Sequence, residues 1–128
     1  MKQKIIDLHS HTTASDGSLT PNELIKLACE KGLTAIAITD HDTVDGLEEA
    51  YNCIKEGNDI ELIAGVEVSA DHHGEIHILG YFVNYKDDAF KDSLNELKKI
   101  RDMRNECLIE KFKEHNIEIK YECKDLVI

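Results

Sequence analysis

The chain has 128 residues, of which 41% are hydrophobic and 32% charged. That length suits one compact domain spanning 1–128, and the composition excludes disordered, collagen-like and low-complexity classes. Asp and Glu outnumber Lys and Arg by 26 to 15, a formal charge of −11, which excludes a broad cationic surface for nucleic acid unless a bound metal or a local cation reverses the field.

The amino-terminal stretch MKQKIIDLHSHT lacks the apolar core of a secretion signal. No apolar run has the length needed to cross a bilayer, so the expected location is the cytoplasm. Cys29, Cys53, Cys107 and Cys123 form no C-x-x-C pair, which argues against a zinc ribbon or a redox motif. They read as free thiols, with Cys29 and Cys53 filling space on helices.

In chain order, Lys4–Leu8 reads as a short strand ending in polar residues. Thr20-Pro21-Asn22-Glu23 then opens a helix with a cap residue and a proline at its first position. Leu24, Leu27 and Ala28 form the expected buried stripe, and Lys31-Gly32 ends it. Thr34–Thr39 is an almost unbroken apolar run, the pattern of a strand covered on both faces of a parallel sheet. Val44–Lys55 has helical spacing through Leu47, Ala50, Tyr51 and Ile54 and closes at Gly57. A third strand follows over Ile60–Val68, then a turn at Asp71-His72-His73-Gly74 with solvent-exposed histidines, then a fourth strand over Glu75–Val83. Asp87 to His115 reads as one long helix through Phe90, Leu94, Leu97, Leu108 and Phe112, with Arg101 and Arg104 in the inward sector and His115 serving the helix end. The tail from Ile117 adds at most one short element.

This alternation predicts an α/β fold with helices covering a mostly parallel sheet, and ligands in such folds gather beyond the carboxyl ends of the strands. His9 and His11 follow the first strand, Asp40 and His41 the second, and Glu67 ends the third. Two imidazoles one residue apart at a strand end can face one cation, and imidazole suits zinc, manganese and iron. Each residue alone has a plainer reading: Asp16 as a turn residue in Ser15-Asp16-Gly17, His77 as a hydrogen-bonded core histidine between isoleucines, and Asp7 and Asp40 as carboxylates that orient neighbouring imidazoles. Taken together, so many polar groups near strand ends would be costly to bury without a partner such as a metal cluster.

The stretches DLHSHT with SDG downstream, AITDHDTVDG, GVEVSA and EIHILGY resemble, in order, the motifs of the PHP (polymerase and histidinol phosphatase) domain of metal-dependent phosphoesterases. The SDG, TDHDT and IHILGY forms are most similar to the branch of 3′,5′-nucleoside bisphosphate phosphatases and 5′-to-3′ exoribonucleases. The resemblance implies a distorted seven-stranded β/α barrel. It also implies His9 and His11 on a first metal, Asp16 and His41 on a second, Glu67 as a bridging carboxylate and His77 on a third, with Asp16, His41 and Glu67 catalytic. Arg101 and Arg104 resemble arginines that hold substrate phosphate; the plainer reading is snorkelling arginines paired to nearby carboxylates. The implied cofactors are up to three divalent ions, Mn²⁺, Zn²⁺ or Fe²⁺, which mixed histidine and carboxylate ligands suit better than Mg²⁺.

The family continues through further β/α units carrying a later histidine and an Asp-x-His, and nothing after His77 matches them. The chain therefore resembles the amino-terminal part of the family domain: an excised segment, a truncated gene product or one partner of a split protein. The expected activity is metal-assisted hydrolysis of a phosphate mono- or diester, of a nucleotide or short RNA. A histidinol-phosphatase-like enzyme, a polymerase-associated exonuclease and a non-catalytic metal-binding fragment are the alternatives. Half a barrel would leave strand edges open, from which a homo-oligomer or a missing carboxyl-terminal partner is expected.

Overall fold

The computed structural model of the protein describes residues 4–70 and 76–119. The expected turn with His72 and His73, Glu75, Cys123 and the tail from residue 120 lie outside the described residues. Seven elements follow in order: β1 (Ile6–Ser10), α1 (Pro21–Glu30), β2 (Ala35–Ile38), α2 (Leu47–Lys55), β3 (Glu61–Ala70), β4 (Ile76–Tyr81) and α3 (Asp88–Glu114).

Local signals explain most of the boundaries. Thr20 caps α1 in a complete capping box: its Oγ1 accepts from the Glu23 N–H while the Glu23 carboxylate accepts from the Thr20 N–H. Asp87 caps α3 from one side, its carboxylate accepting from the Ala89 and Phe90 N–H groups. The buried face of α1 departs from expectation. Pro21, Ile25 and Ala28 are buried, Leu24 is half-buried and Leu27 is exposed, because the stripe runs through Ile25 at three- and four-residue steps from Pro21 and Ala28.

The sheet has the order β1-β2-β3-β4. The first three strands are parallel and β4 returns antiparallel to β3. The helix-facing side chains Ile36, Ile38, Leu62, Ala64 and Val66 meet Ile25, Ala28, Leu47, Ala50, Cys53 and Leu94 in one core. The opposite face is concave: Tyr81 on one edge strand donates from its hydroxyl to the Leu8 carbonyl on the other at 2.9 Å, so the sheet curls into a half-barrel. β3 outlasts the expected Val68 end because its last residues pair with β4. Glu67 consequently lies inside the strand rather than at its tip.

Among the described residues, the apolar side chains that α3 packs on the core are Phe90, Leu94 and Leu97, all in its first half. Arg101 faces inward and Arg104 does not: it is exposed, and the buried position is Asn105. At about 100° per residue, ten steps carry Arg104 roughly 80° from the direction of Leu94, whereas eleven return Asn105 to within roughly 20°. Cys53 is buried, Cys29 half-buried and Cys107 exposed, all as free thiols.

Candidate metal centre

Six of the residues singled out in the sequence meet on the concave side of the rim. Four backbone devices position them. In β1, three residue steps from Asp7 to Ser10 face two in β2, from Ile36 to Ile38, and such a bulge re-aims the side chains it carries. The His9 N–H donates to Asp7 Oδ1 at 3.1 Å, so Asp7 fixes the backbone of the bulge.

Asp40 holds the loop after β1. It is 1% exposed and accepts from Thr12 N–H at 2.7 Å, Thr12 Oγ1 at 2.8 Å and Ser15 Oγ at 2.6 Å. These partners are backbone and hydroxyl groups rather than an imidazole, which differs from the expected orienting role. The loop then closes so tightly that a Cβ on Gly17 would lie 2.3 Å from the His11 carbonyl oxygen, and Asp16 Oδ1 comes to 3.3 Å from His11 Nδ1.

His41 is added by an isolated parallel bridge to Glu67. Glu67 N–H donates to the Asp40 carbonyl at 3.1 Å, and Asp42 N–H to the Glu67 carbonyl at 2.9 Å. Asp42 adopts φ 49°, a left-handed conformation that Asp tolerates better than most residues. His77 arrives through the hairpin: it pairs with Ser69, two residues from Glu67 on the same strand face.

Glu67 is the centre of the assembly, 2% exposed. Its Oε2 lies 3.0 Å from His9 Nε2, 3.0 Å from His11 Nε2 and 3.5 Å from His41 Nε2, and its Oε1 lies 2.8 Å from His77 Nδ1. His41 Nε2 is also 3.9 Å from Asp16 Oδ2. The His11 and His41 rings stack at 4.7 Å, and His41 meets His77 edge-on at 5.2 Å.

Burial pushes the Glu67 carboxyl upward, but the hydrogen bonds from His9 and His77 and the charge of His41 prevail and hold it below its ordinary value. Burial holds His41 below its ordinary value, helped by His11 and Arg101 and opposed by Glu67 and Asp16. Metal ligation calls for an ionised carboxylate and a neutral imidazole, and the two directions favour that state at Glu67 and at His41.

The donor set fits divalent metal ions. Three groups, His9–His11–Glu67, His11–Asp16–His41 and His41–Glu67–His77, each bring one ligand atom per residue within 4.8 Å of the others. Two ligands of one tetrahedral ion at about 2.1 Å sit roughly 3.4 Å apart, close to the separations around Glu67. One carboxylate oxygen has two lone-pair sites, too few to accept from all three nitrogens around Oε2. The buried Nδ1 atoms of His11 and His41 have no hydrogen-bond partner among the described residues, the 3.3 Å approach of Asp16 to His11 lacking the alignment of a hydrogen bond.

Arg101 reaches the same rim from α3. Its Nη2 donates to Asp42 Oδ2 and, at 3.4 Å, to Ser69 Oγ. Arg104 donates to Asn105 Oδ1 at 3.3 Å, one step further round the helix. Sequence reasoning gave no role to Thr12, Ser15, Asp42, Ser69 or Asn105. Only Asp42 carried a signal, as the second carboxylate flanking His41 in Thr39-Asp40-His41-Asp42-Thr43.

The chain is similar to proteins of known description. It is 42% identical over 102 residues to a 5′-3′ exoribonuclease of Haemophilus influenzae, covering 79% of this chain and 37% of that protein. It is 36% identical over 97 residues to a 3′,5′-nucleoside bisphosphate phosphatase of Chromobacterium violaceum, covering 75% and 34%. Among solved structures, an amidohydrolase of Chromobacterium violaceum with bound sulfate and no metal superposes with a TM-score of 0.79 at 32% identity, over 89% of this chain and 40% of that one. A Bifidobacterium adolescentis protein described as a candidate metal-dependent phosphoesterase gives 0.76 at 28% identity, over 87% and 39%. The chain thus spans about two fifths or less of the length of these relatives, matching their amino-terminal part. The family model for the PHP domain matches residues 7–121, and the chain belongs to that family.

Proposed function

We propose that this chain supplies the metal-binding part of a phosphoesterase that hydrolyses a phosphate mono- or diester of a nucleotide or short oligonucleotide. The observation that carries the reading is the convergence of four imidazole nitrogens on the buried Glu67 carboxylate. His9, His11, Asp16, His41, Glu67 and His77 would hold the ions, of which Mn²⁺, Zn²⁺ and Fe²⁺ suit the donors. Bound ions of this kind supply an acidified water and neutralise charge on phosphoryl oxygens. Glu67, ionised and shared between groups, would bridge; Asp16 and His41 would complete the second group. Arg101 would hold a non-reacting phosphate through the guanidinium donors that Asp42 and Ser69 leave open.

The names of the relatives support a nucleotide or RNA substrate, and the sulfate in the Chromobacterium structure is a tetrahedral oxyanion of the same shape as phosphate. Among the described residues no helix is long and apolar enough to cross a membrane, and we place the protein in the cytoplasm, with its thiols reduced. Exposed Ile6, Tyr81 and Phe82 at the sheet edges support association, as a homo-oligomer or with a polypeptide that closes the barrel.

Assaying the chain with Mn²⁺ against a nucleoside 3′,5′-bisphosphate and a generic phosphate ester tests the activity, with His9→Ala as control. Turnover above the control supports the reading. The coverage of about two fifths favours one second reading, a metal-binding segment without turnover; metal uptake with activity no higher than His9→Ala would select it.

A further inference from the structure

Arg101 makes its contacts at two points that each adjoin a residue of the metal centre. Asp42 follows His41 directly in the chain, and its N–H is bonded to the Glu67 carbonyl. Ser69 shares a strand face with Glu67 and is the register partner of His77. One guanidinium nitrogen thus ties the loop after β2 to the rim end of β3, and through α3 it fastens both to the core that Leu94 and Leu97 enter two turns and one turn earlier. Asp42 is 4% exposed, so its carboxylate depends on Arg101, which bonds Oδ2, while Oδ1 has no hydrogen-bond partner among the described residues. A buried ionised group next to a ligand backbone has little freedom while the pair is intact and a strong drive to seek water once it is broken.

The geometry points to Arg101 and Asp42 as a positioning pair for the metal centre: it holds His41 against Glu67 before any substrate arrives, a role distinct from phosphate contact. The inference rests on the metal-binding reading above. Partners that orient metal ligands from behind are worth about tenfold to a hundredfold in metal affinity. The loss should be selective. His41 belongs to the His11–Asp16–His41 and His41–Glu67–His77 groups but not to His9–His11–Glu67, so breaking the pair should weaken the first two and spare the third.

Calorimetric titration of the metal-free chain with Mn²⁺, without substrate, tests this. Arg101→Ala and Asp42→Asn should each weaken binding at least about tenfold at the sites that His41→Ala also removes, and leave the remaining site within about twofold. The double variant should be no weaker than the worse single one, since either change breaks the same link. Lys98→Ala, an exposed change on the same helix, should bind as the parent does. If Arg101→Ala loses its helical circular dichroism in chelator, Arg101→Lys carries the test: it keeps a cation on the helix, its shorter side chain cannot place that cation between Asp42 and Ser69 as Nη2 does, and the same selective loss is expected. Parent affinity at every site in Arg101→Ala, an equal loss at all sites, or additive losses in the double variant would overturn the pair's role while leaving the metal reading intact. A parent chain that takes up no Mn²⁺ would overturn both.

Discussion

Thr12 and Asp40 face each other as a two-point clasp, backbone N–H to Oδ1 at 2.7 Å and Oγ1 to Oδ2 at 2.8 Å, with both residues essentially sealed from solvent. Ser15 adds a third bond to the same carboxylate. The clasp fixes the loop that runs from His11 to Asp16, so it sets the spacing of two ligands whose side chains Asp40 does not itself bond.

Asp40→Ala would strand the buried N–H and hydroxyl of Thr12 and leave the half-buried Ser15 hydroxyl with Asp16 alone. A hydrogen bond to a charged group is worth about 1.5–3 kcal/mol and an unsatisfied buried donor costs about 1–3 kcal/mol. A loss of about 4 kcal/mol is expected from the urea midpoint measured in chelator, against less than half of that for Thr12→Ser, which keeps the hydroxyl. A midpoint for Asp40→Ala within about 1 kcal/mol of the parent would mean that the loop is held by something else.

How much of this could be read in advance differs by residue. His9 and His11 were legible because alternation at a strand end sets two side chains on one face, and His77 because the hairpin returns β4 to the rim. The bulge in β1 was not, since register is a property of the pair of strands and not of either sequence. Ile25 in place of Leu27 and Asn105 in place of Arg104 were missed for a related reason: a helix buries a direction, and each residue of difference rotates it by about 100°. The Arg101–Asp42 pair joins residues 59 apart in sequence, and no local pattern announces a contact between a helix side chain and the loop of a different strand.

Acid should weaken the metal-free fold in two steps of the same sign. His41 is held below its ordinary value of 6.5, so the unfolded chain takes up protons there first. The resulting penalty grows as pH falls from about 6.5 to the folded-state value and is constant below it. Glu67 is held below 4.5, so its contribution is full above that pH and fades as pH falls through its lowered folded-state value. Urea midpoints in chelator should therefore fall between pH 7.5 and pH 5, and less so in His41→Gln. Equal pH dependence in the variant and the parent would remove His41 from the explanation.

Gly65 lies two residues before Glu67 on the same strand face. A Cβ there would meet Thr39 Cγ2 at 2.7 Å, the Ile38 carbonyl oxygen at 2.9 Å and the Gly80 carbonyl oxygen at 3.1 Å. Two of these are backbone atoms within paired strands, which cannot retreat without opening the sheet. Overpacking of this kind costs typically 1–3 kcal/mol, and Gly65→Ala is expected at or above the top of that range, with weaker Mn²⁺ binding because the displacement reaches Glu67. A variant that unfolds at the parent's urea midpoint would show that the sheet yields at this point.

Thr20 offers the opposite case, a stabilising residue whose partners lie on its own helix. Removing the hydroxyl in Thr20→Ala breaks the reciprocal cap with Glu23, a change worth about 1 kcal/mol at helix amino termini. The Glu23 carboxyl is held below its ordinary value by the backbone of Thr20 and then by its side chain. Its share of the cap is therefore present above about pH 4.5 and fades as pH falls through the lowered value. The urea midpoint of Thr20→Ala should lie below the parent's at pH 7, and the gap should narrow as pH falls below 4.5 and the carboxyl becomes protonated. Mn²⁺ affinity should remain within about twofold of the parent, because the metal ligands are held by the Asp40 clasp and the Glu67 bridge rather than by the start of α1. A loss of metal affinity larger than tenfold would instead mean that the cap and the loop carrying His11 and Asp16 move as one unit.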